Sequence, residues 1–472
     1  MKDLQTYRLA TFVHTPHDKA IATTRDQLKK HLLDSVASLL FATDKPVIKK
    51  LIRQIKQMGE GGPCWAPVIG KTAPDRAAQL FTALIRYPDF MDNFLGKEAT
   101  CHPSDNIGAL LAAGQLANST GKEFLEAMAL GYEIECRLVE EIPVMIKGFD
   151  HTLLLAYSLT AALCKMLSLT IDQTAHALAI AGCSISPLVT SRASYTYEWK
   201  GLASSQVASA CMNIVLLAKE GMTGPIALFE GPKNFDEVYG MKLEYDWEKE
   251  DFSLIHKCIL KTFNAEVHTQ PALEATLELK KEHGFTAADI ETIDVTTFLT
   301  AYHIVGCGAY GDRTNVHSKE QADHSMPYLI AVALLDNEVY PEQLLPERIN
   351  RSDVQELLQK VKVHTASKLH KPMLLAGLLD PYTEAYPEKV PSKVEIKLKN
   401  GNTIESKKDD YHGFYTRPLS WHDVELKFNK LVKNIPVKKQ QKIISAIDNI
   451  EMLKVADLIG LLTDCLQETV EQ

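Results

Sequence analysis

The chain has 472 residues, of which 46% are hydrophobic and 24% are charged, so it resembles an average globular protein and not a fibrous or disordered one. Asp and Glu number 60 against 51 Lys and Arg, and the net charge of -9 has the wrong sign for a general nucleic-acid or acidic-membrane binder. The length predicts two domains. The nine cysteines include no C-x-x-C pair, which predicts buried free thiols in a reducing compartment.

The amino-terminal sequence MKDLQTYRLATFVHTPHDKA lacks the apolar core of a secretory signal. No apolar run reaches the roughly 18 residues needed to span a membrane. The sequence therefore predicts a cytoplasmic protein that binds neither membrane nor nucleic acid. We also expect no metal and no organic cofactor, because the histidines lack diagnostic metal-ligand spacing and no dinucleotide or phosphate-loop motif is present.

The first half of the chain has helical periodicity. Apolar residues recur three and four positions apart from about residue 24 to residue 217. Pro88 ends one predicted helix, and Thr120 with Glu123 forms a capping box that begins another. Two further segments are apolar around much of their circumference, which is typical of helices in the middle of a bundle. We therefore predict a large all-helical domain over residues 1–258.

The pattern changes near Cys258. Three later segments alternate apolar and polar residues as strands do, and the Asn400-Gly401 pair predicts a two-residue hairpin turn. Helical segments lie between them, so we predict a smaller α/β lid domain over residues 259–420. Residues 421–472 return to helical periodicity and are expected to pack back on the first domain. The predicted fold class is therefore mainly α, with an inserted α/β lid that can hinge.

The first candidate site segment is DFMDNFLGKEATCHPSDN, residues 89–106. Asp89 and Asp92 lie three positions apart, and Pro103 restricts His102 to an extended conformation. A polar residue after this proline can cap the next helix, so the histidine is held beside a helix amino terminus, where anions bind. The alternative interpretation is a capping loop with surface carboxylates.

Two further candidates stand at predicted helix starts. His151, in GFDHT, lies in the first turn of a strongly buried helix, whose amino terminus favours the neutral imidazole. Lys200, in YTYEWKG, opens a helix of small residues, where a cation is unfavourable unless an anionic ligand offsets it. A hydrogen-bonded core histidine and a solvated lysine are the alternatives.

The last candidate segment is ILKTFNAEVHTQPALEA, at the predicted domain junction. Lys261 and His268 are seven positions apart in it, which places them on one face if the segment is helical. A loop is equally compatible with the sequence. The segment can also be read as a hinge with no further role.

These segments, in this order and together with ADHSMPY at 322–328, resemble the MmgE/PrpD family over nearly the whole chain. The family includes 2-methylcitrate dehydratase and cis-aconitate decarboxylase. The resemblance implies a metal-free homodimeric enzyme with a large all-helical domain, an inserted lid domain and an active site in the cleft between them. The pocket residues that it implies for this chain are Asp92, His102, His151, Lys200 and Lys261, with His268 as a neighbour.

The implied chemistry is that of a metal-independent hydro-lyase acting on a small tricarboxylate, first of all the dehydration of 2-methylcitrate or a related compound. His102 and His151 would be the acid/base pair, because histidine titrates near neutral pH. Asp92 would orient a histidine.

The resemblance also implies that Lys200 and Lys261 bind substrate carboxylates, with His268 as a further substrate contact. The stretch NFLGKEATC, before HPSDN, matches neither branch of the family. Decarboxylation of cis-aconitate, epimerisation of a small dicarboxylate and a non-catalytic binding role therefore stay open as alternatives.

Overall fold

A computed structural model describes residues 3–192, 196–366 and 380–467. The chain forms two compact units, and the predicted fold class, mainly α with a small sheet, is confirmed. Unit 1 comprises Met1–Thr190, Trp199–Ile259 and Ser420–Gln472, and unit 2 comprises Ser191–Glu198 and Leu260–Leu419. The short segment Ser191–Glu198 is thus grouped with unit 2, although its position in the sequence suggested the helical domain.

Helices dominate the first part of unit 1. They are α1 (Gln5–His14), α2 (Asp18–Ala42), α3 (Pro46–Gln57), α4 (Pro74–Arg86), α5 (Asp105–Ala117), α6 (Gly121–Glu141), α7 (Thr152–Met166), α8 (Ile171–Ser184), α9 (Ala203–Lys219) and α10 (Phe235–Tyr239). Two short antiparallel pairs accompany them, β1 (Cys64–Ala66) with β2 (Gly70–Thr72) and β3 (Phe94–Leu95) with β4 (Thr100–Cys101).

Local sequence signals explain where several of these helices begin and how they pack. Thr120 and Glu123 form the predicted capping box at the start of α6. In α7 every residue except Lys165 is buried, and the helix packs against α5, α6, α8 and α9. Helix α4 packs against α5 and α9. The core of unit 1 therefore lies around α7 and the inner faces of α4, α5 and α6.

Unit 2 is built on a four-stranded sheet with the order β6-β5-β7-β8. Its elements are α11 (Gln270–His283), β5 (Ile290–Thr297), α12 (Leu299–Val305), α13 (Lys319–Ala322), α14 (Met326–Asp336), α15 (Pro346–Ile349), α16 (Ser352–Leu358), β6 (Val361–Thr365), α17 (Pro381–Ala385), β7 (Ser392–Leu398) and β8 (Thr403–Lys408). Strands β5 and β6 are parallel, and the other two pairs are antiparallel. The predicted hairpin joins β7 to β8, but its loop has three residues, 399–401, and not two. Leu398 pairs with Asn402, and Gly401, with a φ of 91°, takes the left-handed position at the end of this loop.

The C-terminal segment of unit 1 contains α18 (Trp421–Leu431), α19 (Val437–Asp448) and α20 (Val455–Gln467). Helix α18 packs along α2, and α20 packs against α5 and α19. Of the nine cysteines, all of them free, seven are buried, whereas Cys183 and Cys307 are exposed. None of the helices in the described part of the chain is long and apolar enough to cross a membrane.

Candidate active site

A loop between α4 and β4 carries the first predicted site residues, and we call residues 89–95 the site loop. Asp89 has a φ of 56°, in the left-handed region that Asp tolerates better than most residues. Its carboxylate oxygens accept hydrogen bonds from Arg86 Nη1 and Lys200 Nζ, both at 3.0 Å. All three side chains are buried. Lys200 therefore has an internal counter-ion, which sequence analysis did not predict.

Lys200 belongs to a short 3-10 turn, Glu198–Gly201, and not to the first turn of α9 as predicted. Its charge is therefore balanced by the carboxylate of Asp89. Arg86 contributes to the same cluster. Burial lowers the pKa of its guanidinium, but the nearby carboxylates of Asp89 and Asp105 outweigh this effect and raise the pKa. Carboxylates of the same unit thus contact both cations of this region.

Asp92 forms a buried pair with a histidine that sequence analysis missed. Its Oδ2 lies 2.7 Å from His31 Nδ1, and its Oδ1 accepts a hydrogen bond of 3.1 Å from the main-chain N–H of Ser104. Burial by itself would raise the pKa of the Asp92 carboxyl, but these contacts outweigh it and lower the pKa. The available signal was the pair His31 and Asp34, two ionisable residues one turn apart in an apolar helix.

Asp92 contacts His102 through its main chain, whereas its carboxylate contacts His31. His102 Nδ1 lies 2.8 Å from the Asp92 carbonyl oxygen. Because a carbonyl can only accept, Nδ1 carries the hydrogen, and Nε2 is the nitrogen that takes up a proton when the ring is neutral. The geometry therefore fixes one tautomer of His102.

The structure brings His102 and His151 together. Their ring centroids are 5.2 Å apart with an interplanar angle of 70°, and both side chains are buried. His151 is the N-cap residue of α7, one position before the first turn in which we expected it. The preceding Asp150 accepts a hydrogen bond from the N–H of Thr152 at 3.0 Å, and its Oδ1 lies 3.8 Å from His151 Nε2. Two imidazoles thus lie side by side at the amino ends of α5 and α7.

Hydrogen bonds among buried polar groups stabilise the start of α5. Asn106 donates hydrogen bonds to the Pro103 carbonyl at 3.0 Å and to Glu135 Oε2 at 2.7 Å. Burial and the neighbouring charge of Asp105 raise the pKa of the Glu135 carboxyl well above its usual range. Ser104 is the N-cap of α5, but its hydroxyl makes no capping hydrogen bond. Asn106 anchors the segment that follows His102, a contact between distant residues that the sequence does not reveal.

In unit 2, His268 lies between a carboxylate and a phenol. Its Nδ1 is 2.8 Å from Glu266 Oε1, and its Nε2 is 3.2 Å from the hydroxyl of Tyr386. Burial by itself would raise the pKa of the Glu266 carboxyl, but the charges of His268, His324 and Lys261 outweigh it and lower the pKa. Lys261 and His268, both predicted as site residues, therefore belong to one buried ionisable cluster. Val267–Thr269 forms a 3-10 turn, so the segment is not one continuous helix.

Arg313 and Asp323 extend this cluster. Arg313 is buried, and its Nε donates a hydrogen bond of 2.8 Å to the carbonyl of Ile304. Burial lowers its pKa, and the carboxylates of Glu266 and Asp323 partly offset that effect. Asp323 lies 2.7 Å from His324 Nδ1. Unit 2 thus buries two fixed cations and two histidines near two carboxylates, a composition suited to an anionic ligand.

One group of carboxylates within unit 1, Glu133, Glu250 and Asp251, is close enough together to hold a cation. However, Glu133 accepts hydrogen bonds from two main-chain N–H groups, and Glu250 is paired with Arg137 at 2.9 Å. Burial and the neighbouring Glu250 raise the pKa of Glu133 to about 9. A carboxyl group that keeps its proton is a poor cation ligand, so the contacts of this cluster are structural.

Comparisons with known proteins match both halves of the chain. The model of the MmgE/PrpD N-terminal domain matches residues 7–248, and that of the MmgE/PrpD C-terminal domain matches residues 263–452. A 2-methylcitrate dehydratase of Salmonella typhi is 32% identical over 324 residues, which are 64% of this chain and 66% of that protein. A protein of the same name from Escherichia coli O157:H7 is 27% identical over 88% of this chain and 87% of its own length. The cis-aconitate decarboxylase of Mus musculus is 24% identical over 90% of this chain and 86% of its own.

Proposed function

Because the chain belongs to the MmgE/PrpD family, we propose that it is a hydro-lyase that dehydrates a small hydroxy-tricarboxylate, with 2-methylcitrate as the first candidate. The observation that carries the proposal is the buried pair His102 and His151, whose rings are 5.2 Å apart. Elimination of water needs one group that removes a C–H proton and another that protonates the departing hydroxyl. Two adjacent imidazoles provide both groups near neutral pH.

We assign the general base to His102. The hydrogen bond from its Nδ1 to the Asp92 carbonyl leaves Nε2 as the nitrogen that accepts the proton in the neutral ring. The same hydrogen bond is retained when the ring becomes doubly protonated, so the imidazolium is stabilised without any movement. His151, in its imidazolium form, then donates its own proton to the hydroxyl, which leaves as water while the electron pair of the C–H bond forms the alkene. After release of the alkene, a proton passes from His102 through solvent to His151, which restores the starting state.

Cations and helix amino termini would hold the substrate carboxylates. His102 and His151 both lie at helix starts, where main-chain N–H groups favour negative charge. We assign Lys200 and Lys261 to carboxylate binding and stabilisation of the enolate-like charge, with His268 as a further contact. Because Asp89 already pairs with Lys200, a substrate carboxylate at Lys200 would share this ammonium group with Asp89.

The remaining parts of the proposal rest on the sequence. We propose that the protein binds a small polycarboxylate substrate, forms a homodimer and is located in the cytoplasm. No metal and no organic cofactor take part. Decarboxylation of cis-aconitate is the second candidate, because the mouse relative with that name matches 90% of this chain. It needs a proton donor for the carbanion that forms, and the same histidine pair can provide one.

The test is an absorbance assay of purified protein with citrate, 2-methylcitrate and cis-aconitate, with products identified by NMR. We expect alkene absorbance to rise with 2-methylcitrate. Loss of cis-aconitate with release of carbon dioxide would establish the second candidate instead, and no change with any of the three would overturn both. A sample dialysed against a strong chelator should keep its full rate, whereas loss of rate that added iron or zinc restores would disprove metal independence.

A further inference from the structure

A buried lysine of the C-terminal segment contacts the site loop. Lys427 lies on α18 and is 4% exposed. Its Nζ donates a hydrogen bond of 2.6 Å to the Phe90 carbonyl and lies 3.8 Å from the centroid of the Phe90 ring. The same ammonium group is 2.7 Å from Asp34 Oδ1 on α2. One side chain therefore connects two helices to the loop that bears Asp89 and Asp92.

The position of Phe90 makes this contact important for the histidine pair. Phe90 is flanked by Asp89, whose carboxylate pairs with Lys200, and is two residues before Asp92, whose carbonyl holds His102. A hydrogen bond from a charged donor is roughly twice as strong as one between neutral groups. The hydrogen bond from Lys427 to Phe90 therefore restrains the peptide between Asp89, which pairs with Lys200, and Asp92, which contacts His102.

Stability alone does not explain a buried lysine here. Taking an ion pair out of water costs several kcal/mol per ion, and apolar residues of similar volume are often as stable in its place. Burial raises the pKa of the Asp34 carboxyl, and the Lys427 ammonium offsets this only in part. The Lys427 ammonium group is shared between the Asp34 carboxyl and the Phe90 carbonyl, which it contacts at the shorter distance.

We propose that Lys427 is a positioning residue, which holds the Phe90 carbonyl and thereby fixes the site loop so that the Asp92 carbonyl orients His102. The proposal rests on the proposed function in one respect, namely that His102 is the base. The restraint on the loop itself does not depend on which reaction the protein performs. Two measurements therefore test it, one of loop mobility and one of turnover.

The test variant is Asp34→Asn with Lys427→Met, which removes both charges at nearly constant volume. The matched control is Lys29→Met with Glu451→Gln. Lys29 Nζ is 3.0 Å from Glu451 Oε2 and donates to the Asp448 carbonyl at 2.6 Å. This pair also connects α2 to the C-terminal segment, but neither residue contacts the site loop. If the test variant does not fold, Lys427→Met alone replaces it, because burial raises the pKa of the Asp34 carboxyl and so lowers the cost of leaving it without Lys427.

Hydrogen–deuterium exchange with mass spectrometry measures the loop directly. We expect amide exchange in peptides covering residues 89–95 to rise about 10-fold or more in the test variant, as loss of a charge-assisted hydrogen bond implies, and to stay unchanged in the control. Unchanged exchange in the test variant would overturn the proposal whether or not the protein turns over any substrate. An equal rise in the control would also overturn it, because the effect would then come from docking of the C-terminal helices.

Steady-state kinetics test the link to His102. With the substrate that the wild type turns over, we expect kcat of the test variant to fall about 10-fold or more while KM changes less than about 2-fold. The control should match the wild type in both constants. Raised exchange with an unchanged kcat would contradict the orienting role. If the wild type turns over none of the three acids, the proposed function fails, and the exchange result still decides the role of Lys427 in holding the loop.

Discussion

Two buried carboxylate–histidine pairs, one from each unit, have different surroundings. In unit 1, Asp92 and His31 are 2.7 Å apart, and the Asp92 carboxylate also accepts the N–H of Ser104. In unit 2, Glu266 and His268 are 2.8 Å apart, and the second ring nitrogen of His268 faces the Tyr386 hydroxyl. Both carboxyl groups have lowered pKa values. The pair by itself therefore does not identify a catalytic group.

What differs is the chemistry next to each pair. His31 is a member of the α2 core, and its other ring nitrogen lies 2.8 Å from the Gln27 amide. This pair serves to fix the site loop, and the proposed acid/base histidines, His102 and His151, are separate residues. The Glu266 pair instead lies within a cluster of cations. Under the proposed function, unit 1 supplies both acid/base histidines and Lys200, and unit 2 supplies only groups that bind anions.

The largest effect is expected at the two histidines of unit 1. His102→Gln and His151→Gln keep much of the side-chain size, so each variant should fold and lose at least about 100-fold in kcat. Substrate binding should weaken far less, because glutamine still donates a hydrogen bond. Rates measured on the wild-type substrate check this, with circular dichroism as the control for folding. A folded variant with most of the wild-type rate would remove that histidine from the mechanism.

The double variant sharpens this assignment. If the two single variants and the double variant have similar residual rates, the histidines act as a unit in one step. Losses that multiply would instead place them in separate steps. If His102 is the base, His102→Gln should in addition remove the fall of the rate on the acid side of the pH–rate profile, whereas His151→Gln should remove the fall on the alkaline side.

A smaller effect is expected at the cations of unit 2. Lys261→Met should lower kcat/KM roughly 30-fold, because a charge-assisted contact to a substrate carboxylate is lost. This decrease corresponds to about 2 kcal/mol of transition-state stabilisation. Lys280→Met is the matched control, since this lysine of α11 donates to the Leu334 carbonyl. If Lys261→Met keeps the wild-type kcat/KM, Lys261 does not bind a substrate carboxylate, and the contrast drawn between the two units is wrong at this residue.

Local features of the fold could be predicted because their signals are local. The capping box at Thr120 needs only the residue three positions later, and the turn at Asn400-Gly401 needs only two neighbours. Helical and strand periodicities likewise extend over single elements. The grouping of Ser191–Glu198 with unit 2 depends instead on contacts with distant segments, for example Thr196 with the Glu320 carbonyl.

The partners within the site could not be predicted for the same reason. Asp92 and His31 are 61 positions apart, and Phe90 and Lys427 are 337 apart. Lys200 shows the consequence. From the sequence its charge seemed unfavourable, because the prediction placed it at the start of a helix, so we would expect its removal to leave stability unchanged or to raise it. Because Asp89 would be left buried without this partner, Lys200→Met should instead destabilise unit 1 by about 3 kcal/mol.

The dependence of stability on pH shows whether the Asp92–His31 pair acts through its charge or through its shape. The pKa of Asp92 is lowered in the folded protein, so its contribution to stability is present above the unfolded value of 3.8 and is lost as the pH falls through the folded value. Asp92→Asn should therefore lower the free energy of unfolding by about 2 kcal/mol at neutral pH and by less near pH 3. Urea denaturation at the two pH values measures this. An equal loss at both would show that shape, and not charge, is what Asn fails to reproduce.

The smallest effect is expected at the N-cap of α6, which contacts neither the Asp92–His31 pair nor the Glu266–His268 pair. The Thr120 hydroxyl accepts the N–H of Glu123 at 3.3 Å, and Glu123 Oε2 accepts the N–H of Thr120 at 2.7 Å. Thr120→Ala should cost about 1 kcal/mol of stability, while Thr120→Ser should retain most of it. Because the cap stabilises α6 without contacting the site loop, kcat should equal that of the wild type. If Thr120→Ala lowered kcat, activity would follow the general stability of unit 1, and the special role given to the Asp92–His31 pair would be wrong.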